Sequence, residues 1–403
     1  MSSETILVRV QGPDRPGLLA GLLRVISSSD AKIQDIEQIV IRRRLSLGVI
    51  TEVPKGRDLV KDLLLYGWEH EVEIDFEVVE STSTARALGL VVTVLGRSVS
   101  PGAMASVAEG IAKAGGNVER IVRMSRYPVT SYELIVSGAE LSPLREILLA
   151  LAADEGVDIA IQREGLGRRA KRLVVLDVDS TLILDEAIEL LAAEAGTLDR
   201  VAEITDRAMA GELDFEGALR ERVHLLAGID EAAVERARRN LRFTPGARTF
   251  VRTLRRLGFT VAIVSGGFTD FTDHIAEELG VRHAYANQLS RADGVLTGEL
   301  EGLIVDRRAK ADILRRVAEA EGIPLDQTVA VGDGANDLDM LSEAGLGIAF
   351  NAKPVVRAAA DTTLNVPYLD AVLFVLGVRR SEVEEADIED PMIDTDGPLP
   401  SID

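Results

Sequence analysis

The sequence predicts an α/β protein in which a doubly wound parallel sheet follows two smaller βαββαβ units. Two observations favour this fold class. From Leu173 onward, short apolar strands alternate with helical segments, an order typical of a doubly wound sheet. Before that point, Gly17 and Ile33 recur as Gly102 and Val118, each 85 residues later, and such a repeat indicates duplicated units.

The first predicted unit covers residues 4–80 and the second covers residues 87–163. Each begins with an apolar strand and a turn containing Pro-Gly, which leads into a helix with an apolar face. Two strands, a second helix and a final strand complete each unit. A Ser- and Thr-rich linker at 80–86 and a Gly- and Arg-rich linker at 163–172 separate the three blocks.

The third block is predicted at residues 172–380. Its strands are predicted at Leu173–Asp177, Thr260–Ser265, Ala284–Ala286, Thr328–Asp333 and Leu346–Ala349. Each is a short apolar run of the kind that a buried parallel strand requires. An all-helical insertion at about 185–241 is too long for a simple crossover, so we interpret it as a cap over the edge of the sheet.

The composition restricts the classes of function. The net charge is −21, and nine acidic residues, no basic residue and three prolines fall between Ser381 and Asp403. That segment is predicted to be an acidic disordered tail, and the negative charge of the remainder disfavours nucleic-acid binding. The absence of cysteine excludes disulfides and thiolate nucleophiles, and it fits a reducing cytoplasm. With no signal-peptide pattern, and with the apolar run Ala371–Val378 too short to span a bilayer, no membrane association is expected.

Polar residues suited to phosphoryl chemistry follow several of the predicted strands. Because the carboxyl ends of parallel strands meet at one edge of an open sheet, these residues are expected to converge there. They are Asp177 and Asp179 after the first strand, Ser265 and Gly266 after the second, and Asp333, Asn336 and Asp337 after a later one, with Lys310 near the start of a helix. Taken alone, each is also typical of a turn, a helix cap or a surface lysine, whereas their shared edge favours a joint site.

The chemistry of these side chains predicts a phosphoryl-transfer site. Asp177 and Asp333 offer the hard oxygen ligands that Mg²⁺ prefers, while Ser265 and Lys310 can bind and neutralise phosphate oxygens. With no cysteine available, a carboxylate is the expected nucleophile, and its attack would form an aspartyl phosphate. The second acid, Asp179, can protonate the leaving alcohol and then deprotonate the attacking water.

The segments 177–181, 265–267 and 332–337, with the lysine between them, resemble the motifs of the haloacid dehalogenase superfamily. The cap segment Gly211–Val223 resembles, more specifically, that of its phosphoserine phosphatase family. The resemblance implies a Rossmann-like core with a helical cap. It implies that Asp177 is the nucleophile and Asp179 the acid–base residue. It implies that Mg²⁺ is bound by Asp177, Asp333 and the main-chain carbonyl of Asp179. It also implies that the phosphoryl group is bound by Ser265, Gly266 and Lys310, and that Asn336 and Asp337 support the metal and phosphate.

The cap residues indicate the substrate. Phosphoserine carries an ammonium and a carboxylate beside its phosphate, so Glu186 can accept from the ammonium and the guanidinium of Arg222 can pair with the carboxylate. Met209 and Phe215 can close over a small substrate and exclude water. From the residues alone, Met209 and Phe215 are also compatible with packing inside the cap, and Arg222 with a solvated Glu/Arg face.

The two βαββαβ units resemble ACT domains, ferredoxin-like regulatory modules that often bind amino acids. The first has an Asp-Arg-Pro-Gly-Leu turn from Asp14, whereas the second keeps Pro-Gly but lacks the acid. Asp14, Gly17 and Gly102 are therefore candidate effector contacts, although a Pro-Gly turn also serves simply to begin a helix. The resemblance implies L-serine as an inhibitory effector and a homodimer paired through these domains.

Together these features predict a Mg²⁺-dependent phosphatase that converts O-phospho-L-serine to L-serine and phosphate, the last step of serine biosynthesis. Two alternatives stay open. The phosphatase could act on another phosphomonoester or on phosphoproteins, or the chain could be a catalytically silent amino-acid sensor. The complete set of Asp177, Asp179, Lys310 and Asp333 argues against the silent sensor.

Overall fold

The computed structural model describes residues 3–54, 59–79, 89–209 and 212–389. The chain divides into two compact units, Met1–Arg86 and Ala87–Asp403. The first unit consists of β1 (Ser3–Pro13), α1 (Leu18–Ser28), β2 (Lys32–Ile41), β3 (Arg44–Pro54), α2 (Leu59–His70) and β4 (Glu73–Val78). Its strands form one antiparallel sheet in the order β2-β3-β1-β4. Alternate residues of β1 and β3 point to one face, where they form a core with the apolar stripes of the two helices.

The second unit begins with a domain of the same topology. It contains β5 (Leu90–Gly96), α3 (Pro101–Lys113), β6 (Asn117–Ser125), β7 (Thr130–Ser137), α4 (Leu141–Glu155) and β8 (Asp158–Arg163), followed by the short helix α5 (Leu166–Arg169). The strand order β6-β7-β5-β8 repeats that of the first unit. The duplication that the 85-residue repeat predicts is thus present in the fold.

A seven-stranded sheet forms the centre of the second unit. Its strands are β9 (Leu173–Leu176), β10 (Thr260–Phe268), β11 (His283–Ala292), β12 (Val295–Glu301), β13 (Thr328–Gly332), β14 (Gly347–Phe350) and β15 (Thr362–Leu364). They lie in the order β12-β11-β10-β9-β13-β14-β15, and all pair in parallel except β12. The chain proceeds outward from β9 in both directions, so the predicted doubly wound sheet is confirmed.

Helices cover both faces of this sheet. Val174 and Leu176 pack in one core with Phe250, whereas Leu173 and Val175 pack in another with Leu314, which is why β9 is a continuous apolar run. The helical cap consists of α6 (Ala187–Ala195), α7 (Leu198–Met209), α8 (Phe215–His224) and α9 (Glu231–Arg239). The others are α10 (Ala247–Arg256), α11 (Thr269–Leu279), α12 (Arg307–Ala320), α13 (Leu338–Glu343), α14 (Pro354–Ala359), α15 (Val372–Val375) and α16 (Arg380–Ile388).

The second βαββαβ domain shares a hydrophobic core with the sheet domain. Leu95 and Ala160 pack in the same cluster as Val372 and Phe374. At the edge of this contact, Asp158 accepts hydrogen bonds from the main-chain and side-chain amides of Asn365, both at 2.6 Å. The two domains therefore pack as parts of one compact unit.

The prediction of a disordered tail from residue 381 is wrong at its beginning. Helix α16 extends through Ile388, and its Val383 is buried at 3% exposure. Asp387 pairs with Arg252, at 2.8 Å, and with Arg256 of α10. An apolar anchor and two arginine partners stabilise this acidic segment despite its composition. Residues 390–403 lie outside the described part of the chain.

Across the described residues, the helices are all too short or too polar to cross a membrane.

Candidate active site

The carboxyl ends of β9 and β13 place three carboxylates against a buried lysine. Asp177 follows β9 and is 2% exposed, Asp333 follows β13, and Asp337 lies one turn further on and is fully buried. Oxygen atoms of these three side chains lie within 4.8 Å of one another. Lys310, in the first turn of α12, is fully buried, and its Nζ donates to Asp177 and, at 2.7 Å, to Asp337. The sheet thus brings together four residues that the sequence assigns to one site.

Burial and mutual repulsion determine the charges at this centre. Burial, together with the charge of Asp337, raises the pKa of Asp177 well above its usual range, and Lys310 opposes this effect. Burial and Asp337 also raise the pKa of Asp333, to about 6. Burial alone would lower the pKa of Lys310, but the charges of Asp177 and Asp337 outweigh it and raise that pKa. A further positive charge beside these carboxylates would favour their ionised forms.

Asp179 is held by groups outside the acidic cluster. Its Oδ1 accepts from the main-chain amide of Ala187 at 2.7 Å, and its Oδ2 accepts from Ser265 Oγ at 2.7 Å. Ser265 Oγ in turn accepts from the amide of Gly267 at 2.7 Å. A side chain at residue 267 would disturb this arrangement, because a Cβ there would lie 2.9 Å from Asp179 Oδ2 and 2.9 Å from Ser265 Oγ. A carboxylate is therefore fixed beside the Ser-Gly-Gly loop, where it can exchange protons with a bound substrate.

Asn287, which was not predicted to be part of the site, binds the main chain of the Ser-Gly-Gly loop. The residue lies in β11 and is 1% exposed. Its Nδ2 donates to the carbonyl oxygen of Gly266 at 2.7 Å, and its Oδ1 accepts from the amide of Val305 at 2.7 Å. It thereby connects the Ser-Gly-Gly loop to the segment that leads into α12 and Lys310. The available signal was its position as the first polar residue after the predicted strand Ala284–Ala286.

Two further residues of the first motif support the site. Ser180 has a left-handed backbone, with φ at 57°, and its Oγ donates to Glu186 Oε1 at 2.8 Å. Thr181 is fully buried, and its Oγ1 donates to Asp333 Oδ1 at 3.3 Å. Neither residue was predicted to have a role. Their side chains connect the strand end to the cap on one side and to the acidic cluster on the other.

Phe215 of the cap and Asn336, which follows β13, both approach the Ser-Gly-Gly loop. A Cβ placed on Gly266 would lie 3.5 Å from Phe215 Cζ and 3.9 Å from Asn336 Nδ2. Phe215 is the first residue of α8 and remains 37% exposed, so its ring is not simply packed inside the cap. Both residues therefore lie where the sequence analysis places the substrate.

Glu186 and Arg222 contribute opposite charges on the cap side. Glu186 remains accessible to solvent, yet the surrounding protein desolvates its carboxyl group, and this effect, with the charge of Asp179, raises the pKa of Glu186 to about 7. Burial lowers the pKa of Arg222, against the attraction of Glu186 and Asp179. The Arg222 guanidinium donates from Nε to the carbonyl of Ala218 at 3.2 Å and from Nη1 to Thr205 Oγ1 at 3.4 Å, which leaves the other N–H groups of its fork available. Met209 ends α7, but its side chain, on which its predicted role depends, lies outside the described structure.

Comparison with known proteins identifies the family. The haloacid dehalogenase-like hydrolase family matches residues 174–342, and two ACT domain families match residues 4–77 and 89–162. A phosphoserine phosphatase of Streptomyces coelicolor is 52% identical over 95% of this chain and 94% of its own length. Phosphoserine phosphatase SerB2 of Mycobacterium tuberculosis is 46% identical over 96% of both chains. This chain belongs to the phosphoserine phosphatase family.

Solved structures agree with this assignment. A probable phosphoserine phosphatase from Vibrio cholerae, in unliganded form, is 33% identical, with a TM-score of 0.56 over 74% of this chain and 89% of its own. A haloacid dehalogenase family hydrolase from Salmonella enterica is 26% identical, with a TM-score of 0.64 over 72% of this chain and 99% of its own. The sheet domain is thus the phosphatase domain, and the two βαββαβ domains are ACT domains.

The acidic cluster suits a divalent cation. Asp177, Asp333 and Asp337 offer hard oxygen ligands within 4.8 Å of one another, which is the donor type that Mg²⁺ selects. The raised pKa values of Asp177 and Asp333 arise from burial and from unrelieved negative charge, and a bound cation would reverse both shifts. Asp337 joins this cluster through its carboxylate, whereas the carboxylate of Asp179 is engaged by Ala187 and Ser265.

The turn of the first ACT domain lines a cavity. Asp14, Gly17, Gln38 and Leu45 surround about 290 Å³ of space. Gly17 immediately precedes α1 with a left-handed backbone, φ at 90°, which a residue with a side chain would adopt only under strain. This cavity brings together two of the three residues predicted to contact an effector.

The turn of the second ACT domain is built differently. Its helix α3 begins with Pro101, and the side chain of Ser100 caps it by accepting from the amide of Ala103 at 3.0 Å. Gly102 lies inside this first turn. The duplicated turns therefore use different means to begin a helix, and only the first has an acidic residue before it.

Proposed function

We propose that this protein hydrolyses O-phospho-L-serine to L-serine and inorganic phosphate through an aspartyl-phosphate intermediate. The observation that carries the proposal is the presence of Glu186 and Arg222 on the cap side of the carboxylate–lysine centre. A substrate whose phosphate lies against Lys310 would meet a negative and a positive side chain at its other end. An ammonium and a carboxylate on one small molecule match this pair.

The first chemical step transfers the phosphoryl group to Asp177. A carboxylate oxygen of Asp177 attacks phosphorus as the bond from phosphorus to the serine oxygen breaks. Asp179, as a carboxylic acid, gives its proton to that oxygen, so serine leaves as a neutral alcohol. Lys310, Ser265 and the amide after it stabilise the negative charge on the transferring group.

The second step releases phosphate. Asp179, now a carboxylate, accepts a proton from water, and the water oxygen attacks the phosphorus of the aspartyl phosphate. The bond from phosphorus to the Asp177 oxygen breaks, which regenerates the Asp177 carboxylate and the protonated Asp179. The hydrogen bonds of Asp179 to Ala187 and Ser265 support this exchange, because they fix the carboxylate in one orientation.

We propose Mg²⁺ as the cofactor, held by the carboxylates of Asp177 and Asp333 and the main-chain carbonyl of Asp179, with the carboxylate of Asp337 as support beside them. When bound, the ion would neutralise charge on the phosphoryl oxygens. Thr181 orients Asp333 for this purpose. Chelation should abolish phosphate release, and added Mg²⁺ should restore it.

Regulation by L-serine at the ACT domains is part of the proposal. The cavity beside Asp14 and Gly17 supports an amino-acid effector, because it combines a carboxylate, a side-chain amide from Gln38 and free space next to a helix start. We also propose a homodimer through the first ACT domain, in which β2 is an edge strand with exposed Ile36, Ile39 and Ile41.

Phosphate release from a panel of phosphomonoesters, with and without Mg²⁺ and L-serine, tests the proposal. The panel contains O-phospho-L-serine, O-phospho-L-threonine, p-nitrophenyl phosphate and a phosphoserine-containing peptide. The highest kcat/KM is expected for phosphoserine, with inhibition by serine. Preference for the peptide or for another monoester would overturn the assigned substrate, and an unchanged rate with serine would overturn the feedback.

A further inference from the structure

Two chain segments connect the cap to the phosphatase core, and they are paired. Ile183 forms an antiparallel bridge with Phe243. On either side of it, the amide of Leu184 donates to the carbonyl of Arg242 at 2.9 Å, and the amide of Thr244 donates to the carbonyl of Leu182 at 3.0 Å. The cap therefore begins and ends on a short two-stranded hinge.

The hinge ends on its cap side in an ion pair between Asp185 and Arg242. Asp185 Oδ2 accepts from the main-chain amide of Arg242 at 2.8 Å, and Oδ1 accepts from Nη2 at 2.6 Å and from Nε at 3.1 Å. The Asp185 side chain is 11% exposed and the Arg242 side chain 69%. Because three donors of Arg242 bind the largely buried carboxylate of Asp185, the geometry of this ion pair is much better defined than that of an ordinary surface ion pair.

The residues that follow Asp185 belong to the active site. Glu186 is the next residue, and it accepts from Ser180 Oγ at 2.8 Å. The amide of Ala187, one residue further, donates to Asp179 Oδ1 at 2.7 Å. A rotation of the backbone at Asp185 would therefore displace both the carboxylate proposed to bind the ammonium and the donor that orients the acid–base residue.

We propose that Asp185 is a positioning residue. By its hydrogen bonds to Arg242 it fixes the segment 185–187, and it thereby orients both Glu186 and Asp179. It touches no reacting atom itself. Because the pair also closes the two-stranded hinge, it couples the position of the cap to the orientation of the acid–base carboxylate. The part of this inference that concerns Glu186 rests on the proposed substrate, whereas the part that concerns Asp179 does not.

The contacts predict a graded series of variants. Asp185→Ala removes every hydrogen bond from these three donors, Asp185→Asn keeps one acceptor oxygen, and Arg242→Ala keeps the main-chain donor. Because a small displacement of the acid–base carboxylate can cost up to about 100-fold in rate, Asp185→Ala should lower kcat/KM for phosphoserine about 10- to 100-fold. Asp185→Asn and Arg242→Ala should lower it less, and the double variant Asp185→Ala/Arg242→Ala should match Asp185→Ala alone.

Two substrates distinguish the effect of Asp185 on Asp179 from its effect on Glu186. With phosphoserine, Asp185→Ala should lower kcat and raise KM, because Asp179 and Glu186 are both displaced. With p-nitrophenyl phosphate, which has no ammonium, kcat should fall while KM stays within about twofold of wild type. If the wild-type protein cleaved only the aryl ester, the proposed substrate would fail, and kcat on that ester would still test the role of Asp185.

The matched control is Asp75→Ala in the first ACT domain. Asp75 also accepts two hydrogen bonds from one guanidinium, those of Arg9 Nε at 3.1 Å and Nη2 at 2.7 Å, and it lies outside the phosphatase domain. It should leave kcat and KM unchanged. Circular dichroism and thermal melting report whether each variant folds. A folded Asp185→Asn or Arg242→Ala with wild-type kcat and KM, or Asp185 and Arg242 effects that simply add, would overturn the proposal.

Discussion

Asp177 and Lys310 form the contact on which the proposed chemistry depends. The carboxylate is buried, and its pKa is raised by burial and by Asp337, so its reactivity as an anion depends on neighbouring positive charge. Lys310, fully buried between Asp177 and Asp337, supplies part of that charge. The proposed cation would supply the rest.

Replacement of Asp177 by asparagine should therefore abolish turnover. The amide keeps the size of the side chain but lacks the nucleophilic oxygen, and losses of kcat on removal of a nucleophile reach about 10⁴-fold or more. Steady-state phosphate release measures the effect, and acid-quench labelling should detect no phosphoenzyme. Asp339→Asn, at an exposed acid paired with Arg307, is the matched control. Retained phosphate release in Asp177→Asn would exclude the covalent mechanism.

Glu186 should make phosphoserine binding pH-dependent. The pKa of its carboxyl group is raised to about 7, so the group is largely protonated below that pH and ionised above it. Only the carboxylate attracts the ammonium, and KM for phosphoserine should therefore fall as pH rises through about 7. KM measured from pH 6 to 8.5 tests this, with p-nitrophenyl phosphate as a control for titration of the phosphate group. The same pH dependence of KM in Glu186→Gln would show that another group is responsible.

The sequence was sufficient to predict site residues that have a distinctive chemical type and lie at strand ends. It was insufficient to predict residues that act only by positioning other groups. Asp177, Asp333 and Lys310 follow strands or begin a helix, so their convergence follows from topology. Asn287 acts through one acceptor and one donor on distant main-chain groups, and only the folded backbone shows those partners. The same is true of Asp185, whose partner Arg242 lies 57 residues further along the chain.

At the scale of elements, a polar contact between the second ACT domain and the phosphatase domain lies at the ends of β8 and β15. Asp158 begins β8 and accepts from both amides of Asn365, which follows β15. Burial raises the pKa of Asp158, while the two hydrogen bonds from Asn365 oppose that shift. The hydrogen bonds thus compensate in part for the cost of burying this carboxylate.

Asp158→Ala should destabilise the second unit by about 1–2 kcal/mol, because it removes the two hydrogen bonds that the buried Asp158 carboxylate accepts from Asn365. The urea midpoint followed by circular dichroism measures the change. Asp154→Ala, at an exposed position of α4, is the control and should leave the midpoint unchanged. An unaltered midpoint in Asp158→Ala would mean that water replaces these hydrogen bonds at no cost.

Among the elements that were not predicted, one carries a local signal, whereas others are short or depend on tertiary contacts. Strand β12 follows a two-residue Asp293-Gly294 turn with positive φ at both residues, which is a recognisable hairpin signal. Strand β15 has three residues, too few for any periodicity. Helix α16 is acidic and would not be expected from composition, because its stability comes from Val383 and from the arginines of α10.

At the scale of the whole molecule, the two ACT domains share a topology but differ in their surroundings. In the second, Leu95 and Ala160 are covered by the phosphatase domain. In the first, all ten residues of β2 are exposed, and five of them are large apolar residues: Ile33, Ile36, Ile39, Val40 and Ile41. Among the described residues, β2 pairs only with β3, so its outer edge presents free amides and carbonyls beside these side chains. An exposed apolar edge of this length favours pairing with another chain.

The proposed homodimer can be tested at this edge. If two β2 strands pair, a charge on each apolar position would be duplicated across the interface and would repel its counterpart, so Ile36→Lys/Ile39→Lys should yield a monomer. Size-exclusion chromatography with light scattering measures the mass at several protein concentrations. Leu303→Lys, at a residue that is 92% exposed in the phosphatase domain, controls for added charge and should keep the wild-type mass. A dimer that persists in the β2 variant would place the interface elsewhere and would leave the exposed isoleucines available for a different partner.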